Sequence, residues 1–298
     1  MSAQHAMSDT LMLAAVQMVS GPGVADNLHL AEQLIARAAA EGARLIALPE
    51  YFPLIGASDA ERLAARERDV AAVTAATAVT AVTAVVGRGD EAPIQHFLAD
   101  CARRHGVWLV GGSIPLAGDD PGRLKNSCLV YGPAGQRVAR YDKMHLFSFR
   151  RDAEEYDEQH TIEAGSGVVT FETPGLEPIR RVGLAICYDL RFPELFRAMG
   201  PVDLLVIPAA FTETTGRAHW ELLLRARAVE NQCYVLAAAQ GGTHPNGRVT
   251  HGHSMLVDPW GDIVARLPQG PGVVLGAFDR ARLMEVRASL PALRHRRL

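Results

Sequence analysis

Apolar residues along this 298-residue chain follow two patterns. Some form continuous runs of about four to eight, which suit strands buried on both faces. Others recur every three or four positions, which suits helices with one face on a core. Leu11 to Met18 is the first run. The next segment reads as a helix capped by Asp26 or Asn27, with Ala31, Leu34, Ile35, Ala38 and Ala39 on one face and Gly42 past its end. Arg44 to Pro49 predicts a strand. A second helix opens at Pro93, places Ile94, Phe97, Leu98, Cys101 and Ala102 on one face, and stops at Gly106. Val107 to Ser113 then predicts a strand, and Ser127 to Tyr141 a hairpin turning over 132–135. Further strands are expected over Arg181 to Cys187, Leu204 to Pro208, Cys233 to Gln240 and Val273 to Phe278. Helices are expected over His219 to Asn231 and Asp279 to Leu290, and a second hairpin over Ser254 to Leu267 turning over 259–261.

The pattern echoes itself. The segment 129–140 resembles 256–266, and Arg44-Leu-Ile-Ala-Leu-Pro resembles Asp203-Leu-Leu-Val-Ile-Pro. Each hairpin also follows a helix and a strand. Two related β/α halves are therefore expected, each a sheet covered by helices on one face, with the bare faces packed together. That is an α/β fold of four layers, an α-β-β-α sandwich. Residues 1–10 read as a polar tail and 11–298 as a single domain. Residues 60–90 break the symmetry with a biased Ala/Thr/Val tract, to which no chemistry is assigned.

Composition narrows the function. With 48% hydrophobic residues the chain can bury a sizeable core, and a formal charge of −3 offers no footprint for nucleic acid. Arg294, Arg296 and Arg297 read as a solvated tail. No run approaches the ~20 apolar residues of a membrane span, and the polar start carries no secretory pattern. The cysteines at 101, 128, 187 and 233 form no Cys-x-x-Cys pair, so no zinc site is expected. Reduced thiols in the cytoplasm are the expectation.

Three apolar strands end in residues with reactive side chains: Leu45-Ile-Ala-Leu-Pro-Glu50, the hairpin strand reaching Tyr141-Asp-Lys143, and Val182-Gly-Leu-Ala-Ile-Cys187. Carboxyl ends of strands are where α/β sheets collect ligands. Pro193 opens a short helix just beyond Cys187. A tight strand-to-helix turn would expose the sulfur, lower its pKa and aim backbone N–H groups at an oxyanion. Cys101, Cys128 and Cys233 read as inert buried thiols. A thiol nucleophile needs a base. Glu50, at a strand end, if partial burial there raises its pKa, and His145, two residues from Lys143, both qualify on chemistry alone.

These segments resemble the nitrilase superfamily of carbon–nitrogen hydrolases. The matches are Leu48-Pro49-Glu50, Asp142-Lys-Met-His-Leu146 and Cys187-Tyr-Asp-Leu-Arg-Phe-Pro-Glu194, and the likeness runs from about Leu11 to Arg297. It implies the same four-layer sandwich, with Glu50 as general base, Lys143 as oxyanion stabiliser and Cys187 as nucleophile, and His145 then structural. It also implies a further acidic residue between lysine and cysteine, for which Glu158 is the candidate. The stretches 219–240 and 251–261 resemble the Nit branch, in particular its members that hydrolyse the amide of deaminated glutathione to 2-oxoglutarate and cysteinylglycine. ω-Amidase, N-carbamoyl hydrolase and nitrilase activities are the alternatives, and a non-catalytic binding protein on the same scaffold a remote one. The backbone N–H of Tyr188 would share the oxyanion. Arg191 is the first candidate for the substrate carboxylate, ahead of Arg217 and Arg248. No metal or cofactor is expected. The partners expected are a small-molecule amide and further copies of the chain, as a dimer or larger.

Overall fold

The computed structural model describes residues 9–70, 92–151 and 154–297. Most of the Ala/Thr/Val tract, and most of the polar tail, therefore lie outside the described residues. The first half runs β1 (Thr10–Gln17), α1 (Val24–Ala40), β2 (Leu45–Ala47), α2 (Asp59–Ala64), α3 (Pro93–His105), β3 (Trp108–Val110), β4 (Ile114–Ala117), β5 (Leu124–Tyr131) and β6 (Arg137–Asp142). A two-stranded ribbon follows, β7 (Ser148–Arg151) and β8 (Glu154–Asp157). The second half runs β9 (Thr170–Glu172), β10 (Arg181–Leu184), α4 (Pro193–Ala198), β11 (Leu204–Ala209), α5 (Glu213–Asn231), β12 (Tyr234–Ala239), β13 (Gly241–Thr243), β14 (Val249–His251), β15 (Ser254–Val257) and β16 (Ile263–Leu267). The chain then returns to the first sheet as β17 (Gly272–Asp279) and closes with α6 (Arg280–Ser289).

Among the described residues the strands form a seven-stranded sheet, ordered β17-β1-β2-β3-β5-β4 with β6 also on β5, and a six-stranded sheet, ordered β16-β15-β12-β11-β10-β9. The predicted echo has a topological basis. Parallel β1-β2-β3 leads to the antiparallel pair β5-β6, as parallel β10-β11-β12 leads to β15-β16. Alternation along β1 shows how the layers form. Leu13 and Ala15 join the core between the sheets, while Ala14 and Val16 face the core under α1 and α3. Both faces are buried, so the strand reads as an unbroken apolar run.

Several boundaries differ from the sequence pattern. α1 starts at Val24, ahead of the expected caps, because the Asn27 side chain serves the loops instead, bonding Gly21 and Pro53. α5 starts at Glu213, where Thr212 accepts the Thr215 N–H, six residues before the apolar spacing becomes legible. The predicted strand 107–113 breaks after Val110, where Gly111 and Gly112 turn the chain into β4. Among the described residues no helix is long and apolar enough to cross a membrane.

Candidate active site

The expected strand over 181–187 stops early. β10 ends at Leu184, and Cys187 lies three residues beyond it as the first residue of a 3-10 turn, Cys187–Arg191. Its φ of +50° is rare for a residue with a Cβ. The buried Asp189 carboxylate holds this turn, accepting from the Ile186 N–H at 2.8 Å, the Tyr141 hydroxyl at 2.7 Å, and the His145 N–H and Nδ1 at 3.0 and 2.7 Å. His145 is thus committed to Asp189, and its ring stacks on Phe192 at 3.7 Å. The Glu50 carboxylate lies beside the Cys187 thiol, and the Ala210 backbone faces the sulfur. Burial, with the Glu50 charge beside it, pushes the thiol well above its ordinary pKa. This overturns the expectation of a lowered pKa. The turn does not expose the sulfur; it presents it to a carboxylate in a buried place.

Glu50 follows β2 and Lys143 follows β6, and the two meet. Lys143 Nζ donates to Glu50 Oε1 at 2.8 Å and to Glu158 Oε2 and Oε1 at 2.9 and 3.1 Å. Its side chain is 0% exposed. Burial alone would push the ammonium down, but Glu158 and Glu50 outweigh that and hold its pKa well above the lysine range. Burial likewise opposes ionisation of Glu158, yet Lys143, the Phe147 N–H at 2.8 Å and the Tyr51 hydroxyl at 2.6 Å hold its carboxyl below the usual range. The backbone is shaped for this approach. Gly112 has a φ of +57°, and a Cβ there would lie 2.2 Å from the Pro49 carbonyl, one residue before Glu50.

A cavity opens at these groups, lined by Glu50, Glu158, Cys187, Tyr188, Arg191 and Arg248 among others. Tyr188 is the second residue of the Cys187 turn. The Arg191 guanidinium lies between the Tyr188 and Phe211 rings, 5.6 and 5.2 Å from their centroids, and meets His219 Nδ1 at 3.1 Å. Arg217 points elsewhere: it is exposed and paired with Glu213 at 2.7 Å. The structure therefore brings together Glu50, Lys143, Glu158, Cys187, Tyr188 and Arg191, and leaves Arg217 out.

Three neighbours escaped the sequence reading. Asn126 donates to Glu50 at 3.0 Å, and its carbonyl accepts the Lys143 N–H at 2.9 Å. Tyr51 and Asp189 are the other two. Asn126 left a signal, a polar residue within a strand that is otherwise buried. Tyr51 and Asp189 left none beyond standing next to a candidate.

A description of carbon-nitrogen hydrolases matches residues 12–288 of the chain. The chain belongs to the carbon-nitrogen hydrolase family. As a member of it, the protein is a hydrolase acting on carbon–nitrogen bonds. The deaminated glutathione amidase of Synechocystis sp. is 39% identical over 289 residues, covering 96% of this chain and 97% of that one. The omega-amidase NIT2-A of Xenopus laevis is 35% identical over 297 residues, covering 96% and 94%. The crystal structure of Nit3 from Saccharomyces cerevisiae, a member of branch 10 of the nitrilase superfamily, superposes with a TM-score of 0.80 at 27% identity, covering 97% of each chain. The α/β sandwich of this hydrolase is thus shared with the nitrilase superfamily.

Proposed function

We propose that this hydrolase cleaves a small carboxylate-bearing amide through a thioester on Cys187. The observation that carries the proposal is the buried contact of the Cys187 thiol with Glu50, itself hydrogen-bonded to Lys143. Glu50 takes the thiol proton as the sulfur attacks the amide carbonyl. Protonation removes the negative charge from Glu50 and weakens its hold on Lys143. One ammonium donor then turns to the oxyanion, together with the Tyr188 N–H. Glu50 passes the proton to the departing amine, then deprotonates water to hydrolyse the thioester and restore the thiol. Glu158 and Tyr51 keep Lys143 charged and in place. Arg191 takes the substrate carboxylate.

The substrate proposed is deaminated glutathione, released as 2-oxoglutarate and cysteinylglycine, on the strength of the 39% identical relative. The Xenopus relative supports ω-amidase activity on 2-oxoglutaramate as the second reading. Product assays over both amides, an N-carbamoyl amino acid and a nitrile separate these. Cys187→Ala is expected to abolish hydrolysis, and persistent turnover by that variant would sink the mechanism. A homodimer or larger assembly is proposed from the exposed Leu222, Val229 and Trp260, and light scattering tests it. A nucleophile that must stay a free thiol suits the reducing cytoplasm.

A further inference from the structure

Two cavities meet at Arg248. The one at Cys187 has about 10 Å³ of free space, room for little more than one water. Its neighbour, beside α2 and β8, has about 440 Å³. Phe147, Glu158 and Arg248 line both, whereas Glu50, Cys187 and Arg191 line only the first. An acyl group reaching from Cys187 to Arg191 must widen the tight cavity to enter it, and leaves no space there for the amine. A leaving group of more than a few atoms has space only in the large one.

The charges around the large cavity are mostly committed. Arg62 donates to Asp59, Arg150 to Glu155 and Lys143 to Glu158, and Asp157 accepts the Gln159 N–H at 3.0 Å. Arg248 differs. Its Nη2 donates to the Ala210 carbonyl at 2.8 Å, and its guanidinium lies 5.3 Å from the Tyr156 ring centroid. Its buried Nε has no hydrogen-bond partner. Among the described residues, no carboxylate oxygen lies within 4.0 Å of its guanidinium nitrogens. A fixed guanidinium with unused donors, at the junction of two cavities, is prepared for an anion that arrives with the substrate.

We propose that the large cavity is a leaving-group subsite, and that Arg248 holds the carboxylate of a peptide-like amine as it departs from Cys187. This inference rests on the amidase reading and deepens it, because it separates amides of short peptides from primary amides that release only ammonia. Arg191 and Arg248 then read the two ends of a substrate carrying two carboxylates. The assignment also gives Arg248 a role distinct from the acyl-carboxylate role expected from sequence.

The test compares three amides of one 2-oxo diacid: a primary amide, a dipeptide amide ending in carboxylate, and the same dipeptide amide ending in carboxamide. Wild-type enzyme is expected to favour the carboxylate-terminated amide over its carboxamide twin by about ten- to hundredfold in kcat/KM. Arg248→Gln is expected to erase that preference, chiefly through KM, and to lower kcat/KM for the carboxylate-terminated amide far more than for the primary amide. Because the ratios are taken on one preparation, partial misfolding does not imitate the result. Equal losses on all three amides in Arg248→Gln, or no wild-type preference between the twins, would overturn the inference while leaving the amidase reading intact. Failure of wild type to hydrolyse any of the three would overturn the amidase reading, and this inference with it.

Discussion

Burial decides how charge is divided at the residues around Cys187. The thiol is held neutral, while Lys143 stays charged because two carboxylates surround it. Removing the cation should therefore cost more than removing the nucleophile. Lys143→Met is expected to lower stability at pH 7 by about 3–5 kcal/mol, since Glu50 and Glu158 are left buried without it. Part of that loss should return at pH 5 as a carboxyl takes up a proton, and urea denaturation at the two pH values checks both statements. Glu50→Gln keeps the shape but removes the base, and is expected to lower kcat by about 10²- to 10⁴-fold. The corresponding change at His145 should do far less, because that ring faces Asp189. Asp189→Ala strands four donors around a fully buried position and is expected to cost at least about 3 kcal/mol along with activity. Glu50 and Cys187 were legible in sequence because each follows an apolar run, and Lys143 because it ends the predicted hairpin. Asp189 was not, because three of its four donors, from Tyr141 and His145, come from a stretch 44 to 48 residues away in the chain.

At the level of elements, the site depends on how strands end. A methyl at Gly112 would meet the Pro49 carbonyl and displace Glu50, in a backbone conformation that also disfavours a Cβ. Gly112→Ala is expected to lose activity together with about 1–3 kcal/mol of stability, read from paired assays and melting curves. α3 carries a pH-sensitive start. The Glu67 carboxyl accepts the Ile94 and Gln95 N–H groups of its first turn, and burial, opposed by those donors, pushes its pKa up to about 7 from 4.5. The folded state thus holds a proton that the unfolded chain has already released, and Glu67's contribution to stability declines as pH rises from 4.5 to 7. Unfolding midpoints of wild type and Glu67→Gln should shift in favour of the variant by up to roughly 3 kcal/mol between pH 4.5 and 8. Helix α3 was read from sequence to the residue, because Pro93 and Gly106 mark its ends. The start of α5 was missed, because its first turn is polar and held by Thr212 rather than by an apolar face.

Across the whole molecule, the two sheets are tied by the last strand. β17 pairs with β1 along its full length, and Val274 and Phe278 enter the core between the sheets. Removing residues 272–298 should strip β1 of a partner and open that core, and loss of soluble protein and of cooperative melting is the expected result. It is also at this scale that the site is assembled. Glu50 and Lys143 follow strands of one sheet, and Cys187 follows a strand of the other. The sequence by itself determined most strands of the two sheets, most helices, the duplicated order and the three side chains at strand ends, because burial on both faces and the chemistry of turns are written locally. Tertiary structure alone decided that the thiol is buried against Glu50, that Lys143 is shared by two carboxylates, that His145 belongs to Asp189, and that Arg248 stands between two cavities. Desolvation and pairing depend on what the opposite sheet and the loops bring within a few ångströms, and no spacing along the chain encodes that distance.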